Sequence, residues 1–146
     1  MILDGLLLFD NNSAITAGGP SGNVLDLLNA RDIAIGYPLE VLVQPTVDFT
    51  AGGAATLQVQ FQGSADNSTW STYVESLAQP LANLKTGKQP FMIRVPSPEP
   101  DDPLPRYLRL NYIVGTGPML TGKLTAGILL DRQANIAYRP GIAISN

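Results

Sequence analysis

Any catalysis by this chain would have to rest on carboxylates, because its 146 residues include neither His nor Cys. Those two absences exclude a Ser-His-Asp triad, an imidazole base, a thiolate nucleophile, a disulfide frame and any thiolate or imidazole metal site. Two carboxylates suffice for glycoside hydrolysis, and the candidates are Glu40, Glu75, Glu99 and the Asp101-Asp102 pair. Three of these fall in a proline-rich stretch, where carboxylates are solvated, and nothing supplies the apolar pocket that raises the pKa of a general acid. Calcium needs only oxygen ligands, which Asp66-Asn67-Ser68 and Glu99-Pro100-Asp101-Asp102 offer. Neither has the spacing of a twelve-residue EF-hand loop, and a turn and a solvated loop account for them. Gly18-Gly19-Pro20-Ser21-Gly22-Asn23 has no Walker lysine, and Gly115, Gly117 and Gly122 lack the dinucleotide-binding spacing. The residues therefore point to a protein that is not an enzyme and needs no cofactor or metal.

What remains to be explained is the surface. Charged residues make up 14% of the chain, little more than half of the roughly 25% usual for a soluble domain. In their place stand nine Asn, seven Gln, eight Ser and ten Thr. Amides and hydroxyls tolerate burial far better than ions do, and the cores of protein interfaces are depleted in charge. Such a surface suits a protein packed against neighbours, although a mild β-domain composition would look similar. Net charge is −3 with a sequence pI near 4.7, which disfavours nucleic-acid binding. Residues 1–78 carry eight acids and one base, whereas residues 79–146 carry eight bases and four acids. That asymmetry fits head-to-tail association, or it disappears if strands of the two halves interleave. No apolar run approaches the ~18 residues of a spanning helix. The opening Met1-Ile2-Leu3-Asp4 has an acid where a signal peptide carries Lys or Arg, so the chain is expected to be soluble, cytoplasmic when made and free of membrane.

Period-two alternation dominates wherever a pattern is readable. Leu57, Val59 and Phe61 alternate with Gln58, Gln60 and Gln62; Phe91, Ile93 and Val95 alternate with Met92 and Arg94. Leu108, Leu110, Tyr112 and Val114 form a third inward set, and Leu124, Ala126, Ile128 and Leu130 a fourth. Leu39, Val41 and Val43 make a strand expected to end at Pro45, which cannot donate to a ladder, with Ile33 and Ile35 in a short strand before it. Residues 24–30 read as a short helix or as strand plus turn. Five prolines in residues 96–105 require an exposed rigid loop. In residues 62–70, Asp66, Asn67 and Ser68 form a tight turn, after which Trp70 plugs the end of the core or, alternatively, stands exposed for sugar stacking. Seven to nine short strands without βαβ spacing predict one domain: an all-β antiparallel sandwich, jelly-roll-like.

Several stretches resemble one family in chain order. Met1-Ile2-Leu3-Asp4-Gly5-Leu6-Leu7-Leu8-Phe9-Asp10-Asn11-Asn12 is similar to the opening of tailed-phage capsid cement (decoration) proteins, of the kind found on a short-tailed Bordetella phage. Gln62-Gly63-Ser64-Ala65-Asp66-Asn67-Ser68-Thr69-Trp70 resembles their mid-chain turn. Arg106-Tyr107-Leu108-Arg109-Leu110-Asn111-Tyr112 with Thr116-Gly117-Pro118 resembles their penultimate strand and hairpin. Asp131-Arg132-Gln133-Ala134-Asn135 through Tyr138 resembles the exit from their last strand. The proline-rich residues 96–105 have no counterpart in the resemblance.

The resemblance implies a jelly-roll protein on the exterior of a phage capsid. It would self-associate as a homodimer or homotrimer, bridge major capsid subunits and stabilise the shell. No catalytic residue carries over. The expected contacts are the row Gln58, Gln60 and Gln62, exposed in a lone subunit, with Ile2 and Leu3 in an N-terminal arm (1–12) and Tyr138, Arg139 and Ile142 in a C-terminal tail (138–146). The alternatives are a carbohydrate-binding adhesion module using Trp70, Tyr73 and Tyr107, or a head–tail connector component.

Overall fold

Alternating apolar residues form strands here because each strand buries one face against an opposing sheet. The computed structural model describes residues 4–30, 33, 38–96 and 104–130. A 3-10 turn, Gly5–Leu7, is capped by Asp4, whose carboxylate accepts from the Leu6 amide at 2.9 Å. Ten strands follow: β1 (Leu8–Ala14), β2 (Gly19–Pro20), β3 (Leu25–Asp26), β4 (Glu40–Ala51), β5 (Thr56–Ser64), β6 (Ser71–Glu75), β7 (Gln79–Pro80), β8 (Ile93–Arg94), β9 (Tyr107–Gly115) and β10 (Met119–Leu129). They make two antiparallel sheets, one ordered β1-β10-β4-β8 and the other β2-β9-β5-β6, with β3 also on β9 and β7 also on β5. When β2 and β3 count as one broken strand and β7 is set aside, the order is that of a jelly roll. The strand count exceeds the expected seven to nine because two-residue ladders such as β2 and β7 carry no periodic signature. Their Gly and Pro read as turns in sequence.

The sheets close over a shared core in which Phe9 of one meets Phe61 of the other edge to face, with ring centroids 6.2 Å apart. The inward sets at Leu57, Val59, Phe61 and at Leu108, Leu110, Tyr112 are buried as their alternation requires. Three expectations fail. Strand β4 runs through Pro45, because β8 pairs only with Glu40 and Val41 and the β10 ladder shifts there, Lys123 facing Val47 and Leu124 facing Pro45. The missing amide falls where regular pairing is already interrupted. Leu130 lies beyond the end of β10 and is 59% exposed, while Leu129, the last residue of the strand, is buried outside the core cluster. Residues 24–30 hold strand β3 and a turn rather than a helix. Residues 116–118 pass from β9 in one sheet to β10 in the other, so they form a corner and not a hairpin. Thr116 (φ 61°) and Gly117 (φ 101°) make that corner with two successive left-handed residues. Ile35 and residues 97–103 lie outside the described residues.

The acidic and basic halves interleave, since β10 lies between β1 and β4 and β9 between β2 and β5. The described ion pairs Asp26–Arg106, Glu40–Arg94 and Asp48–Lys85 each join one half to the other.

Candidate interaction surface

The outer face of the larger sheet is built on β5. Its alternation turns Gln58, Gln60 and Gln62 outward, and unbroken pairing from Thr56–Gly115 to Ser64–Tyr107 sets Ile113, Asn111 and Arg109 of β9 beside them. On the other flank β6 brings Glu75 opposite Gln60 and Thr72 opposite Gln62. Cross-strand neighbours stand about 5 Å apart, within reach of a glutamine side chain. The Gln62 amide donates to Gln60 Oε1 and to Thr72 Oγ1, both at 3.2 Å. Asn111 donates to Gln60 Oε1 at 3.0 Å, Gln60 donates to Glu75 at 3.2 Å, and Gln58 donates to the Ser76 carbonyl at 3.0 Å. The row is consequently less open than its polarity predicts. Gln62 is only 8% exposed, and Gln58 and Gln60 are half-buried. The glutamines satisfy one another laterally and lie along the sheet.

Arg109 closes one end of this network. Its Nε donates to Gln62 Oε1 at 2.9 Å, and its guanidinium stacks 4.0 Å from the centroid of Trp70. Partial desolvation moves the Arg109 pKa down from its ordinary value, yet the group stays cationic at neutral pH. Trp70 is therefore not a core plug. It is half-buried on the outer face, held by a cation. Nearby, Arg106 sits 4.8 Å from the Tyr107 ring centroid and grips Asp26 with two bonds of 2.7 and 2.8 Å. That hydrogen bond, more than charge alone, holds the Asp26 carboxyl down at about 2. Two of the three aromatics expected as a sugar platform thus carry guanidinium groups, while Tyr73 is partly exposed and packs over Gly63, its Cε2 2.9 Å from where a Cβ would stand.

The β5–β6 hairpin is organised by Asp66 as its sequence suggests. Oδ1 accepts from the Ser64 hydroxyl at 2.9 Å and from the Ser68 and Thr69 amides at 2.9 and 2.8 Å, and Oδ2 accepts from the Ser68 hydroxyl at 2.7 Å. These bonds, the Thr69 amide foremost, push its pKa far below the carboxylate range. Its oxygens are occupied by the turn itself, and Asn67 takes the left-handed conformation (φ 57°) that the turn needs.

A buried polar pair went unnoticed in the sequence. Tyr112, on the inward face of β9, donates to Asp10 Oδ2 of β1 at 2.7 Å, and the Gly22 amide donates to Oδ1 at 3.0 Å. Burial foremost, then the Asp10 carboxyl, raises the Tyr112 pKa well above that of a free phenol. The bond spans the sandwich and ties one sheet to the other. An acid in an otherwise apolar opening run, Leu6-Leu7-Leu8-Phe9-Asp10, was the available signal.

The remaining expected contacts, Ile2, Leu3, Tyr138, Arg139 and Ile142, lie outside the described residues. The strands that lead to them meet at one end of the smaller sheet. Leu8, at the start of β1, pairs with Gly127 near the end of β10, and Gly127 pairs with Leu42 near the start of β4.

A jelly-roll sandwich whose outer face is a self-satisfied mesh of amides presents a broad polar surface. The chain matches the family model described as Bbp16 over residues 9–128, most of its length. It belongs to the Bbp16 family, that of the cement (decoration) protein of Bordetella phage BPP-1, a family of structural proteins of the phage capsid. No curated protein matches the chain.

Proposed function

We propose that this protein decorates the exterior of a tailed-phage head, bridges major capsid subunits and stabilises the shell against the pressure of packaged DNA. Family membership carries this reading, and the surface supports it. With 14% charged residues and an outer face made of Gln58, Gln60, Asn111, Thr72 and half-exposed Ile113, covering the molecule desolvates few ions. Because the amides are already pre-organised by one another, little side-chain entropy is lost on docking. Contacts repeated on several capsid subunits, and across a homodimer or homotrimer, add through multivalency. The arm residues Ile2 and Leu3 and the tail residues Tyr138, Arg139 and Ile142 extend that contact to neighbours. The protein is made in the host cytoplasm, acts on the virion surface, and engages neither nucleic acid nor membrane.

The test is to add purified protein to expanded heads that lack it. Binding at a stoichiometry comparable to the shell, with a higher temperature of DNA release, is expected. Absence from purified virions, or binding that leaves head stability unchanged, refutes the reading. Ile113→Lys, at a half-exposed position of the same face, should weaken head binding while changing the thermal midpoint of the free protein little. Glycan-array binding abolished by Trp70→Ala would instead favour the adhesion reading.

A further inference from the structure

Arg109 is a cation without a counter-ion. Arg94, Arg106 and Lys85 stand 3.9, 2.7 and 3.3 Å from a carboxylate oxygen of Glu40, Asp26 and Asp48 respectively. Arg109 has no such partner among the described residues. Its Nε donates to the neutral side chain of Gln62, and its plane lies on Trp70. The groups around it on the outer face, Gln60, Thr72 and Asn111, are neutral as well, and the Glu75 carboxylate is engaged by Gln60. Arg109 is half-buried, and desolvation is what lowers its pKa, with no anion beside it to offset the effect.

The guanidinium is nonetheless held ready for one. Gln62 fixes one edge and the indole fixes the plane, which leaves Nη1 and Nη2, unbonded among the described residues, as a fork that fits a carboxylate. Held in that posture, the side chain loses little rotamer freedom on binding. Trp and Arg are also the residue types that dominate the energetics of protein interfaces. When this face docks, a half-buried cation is covered further, and a covered cation without a partner opposes association strongly. Its own neighbours offer no free charge, so the anion has to come from the partner. We propose that Arg109, stacked on Trp70, receives an Asp or Glu carboxylate of the major capsid subunit in an end-on contact of two hydrogen bonds. Four residues along β9, about 13 Å away, Ile113 is 38% exposed on the same face. A charged contact at one end and an apolar one at the other set the direction in which the face docks. This inference rests on the capsid reading and adds to it the chemistry of the partner.

The test adds the full chain, and its Arg109→Gln and Arg109→Lys variants, to expanded heads that lack the protein. Arg109→Gln should bind about thirtyfold or more weakly, because it leaves the partner's carboxylate covered and unpaired. Its binding should also depend less on salt than that of the unaltered chain, a change that a merely structural role for Arg109 would not produce. Arg109→Lys keeps the charge without the fork and should bind between the two. Heads carrying Arg109→Lys are then treated with a water-soluble carbodiimide. The reagent activates a carboxyl, the amine introduced at position 109 attacks it to form an amide, and the reagent leaves as a urea. Peptide mapping should join position 109 to an Asp or Glu of the major capsid protein. Binding and salt dependence unchanged in Arg109→Gln overturn the proposal, as does a cross-link from position 109 only to a second copy of this chain. Failure of the unaltered chain to bind heads sinks the capsid reading together with this inference, whereas binding that ignores Arg109 sinks this inference alone.

Discussion

The Asp10–Tyr112 bond is the place where stability can be worked through residue by residue. In Asp10→Ala the Tyr112 hydroxyl stays buried without an acceptor, at about 1–3 kcal/mol, and the part-buried Gly22 amide loses its partner for about 0.5–1.5 kcal/mol. The sum, about 1.5–4.5 kcal/mol, is a large share of the 5–15 kcal/mol that holds a typical domain together. Tyr112→Phe alone withdraws one donor from a carboxyl that is 2% exposed, for about 1–2 kcal/mol. The double variant contains no orphaned hydroxyl, so it should be less unstable than the sum of the single variants by about 1–2 kcal/mol. Urea unfolding of the four proteins gives that coupling directly, since the lost aspartate volume cancels around the cycle. Additivity within about 0.5 kcal/mol refutes the claim that this bond ties the sheets together. Alkali supplies an independent check. The folded Tyr112 pKa is raised, so the pair's contribution is intact below the ordinary phenol value of about 10 and is lost as pH rises beyond it. Tyr112→Phe should remove that part of the alkaline decline.

Three further outcomes follow from the geometry. Arg109→Ala should uncover the chain's single tryptophan, seen as a red-shifted emission and stronger iodide quenching of Trp70, with the fold retained by far-UV dichroism. Asp26, held at about 2 by Arg106, and Asp66, held lower by its turn, are both depressed. Their stabilisation is therefore present above about pH 4 and lost as pH falls through the folded values. The urea midpoint should drop between about pH 5 and pH 2.5, less steeply in Arg106→Gln. Gly122→Ala should destabilise by about 3 kcal/mol or more in calorimetry, because φ is +145° and an added Cβ would overlap the Phe49 ring.

The legible parts of the fold were those with long period-two patterns. The inward sets of β5 and β9 are where their alternation puts them, because a strand with one buried face has only one register that hides its apolar side chains. The Asp66 turn was equally readable, since its hydrogen bonds run between residues two or three apart. Pro45 misled because its meaning depends on whether a partner strand needs its amide at that point, and β8 is too short to reach it. Trp70 misled because only pairing between β5 and β9 brings Arg109, 39 positions away, onto its ring. The glutamine row was correctly placed on the outer face, but its half-burial comes from neighbours on two other strands.

By itself, then, the sequence determined the class of fold, the lack of imidazole and thiol chemistry, and a surface poor in ions. These are properties of composition and local periodicity, which need no knowledge of distant partners. The tertiary structure decided which polar groups meet. It paired the acidic half with the basic half, closed the amides into a mesh, joined Asp10 to Tyr112 across 102 positions, and buried Leu42 and Leu129 on the face away from the core. Each of those depends on strand order, and strand order in a jelly roll is set by contacts remote in sequence that no local pattern encodes.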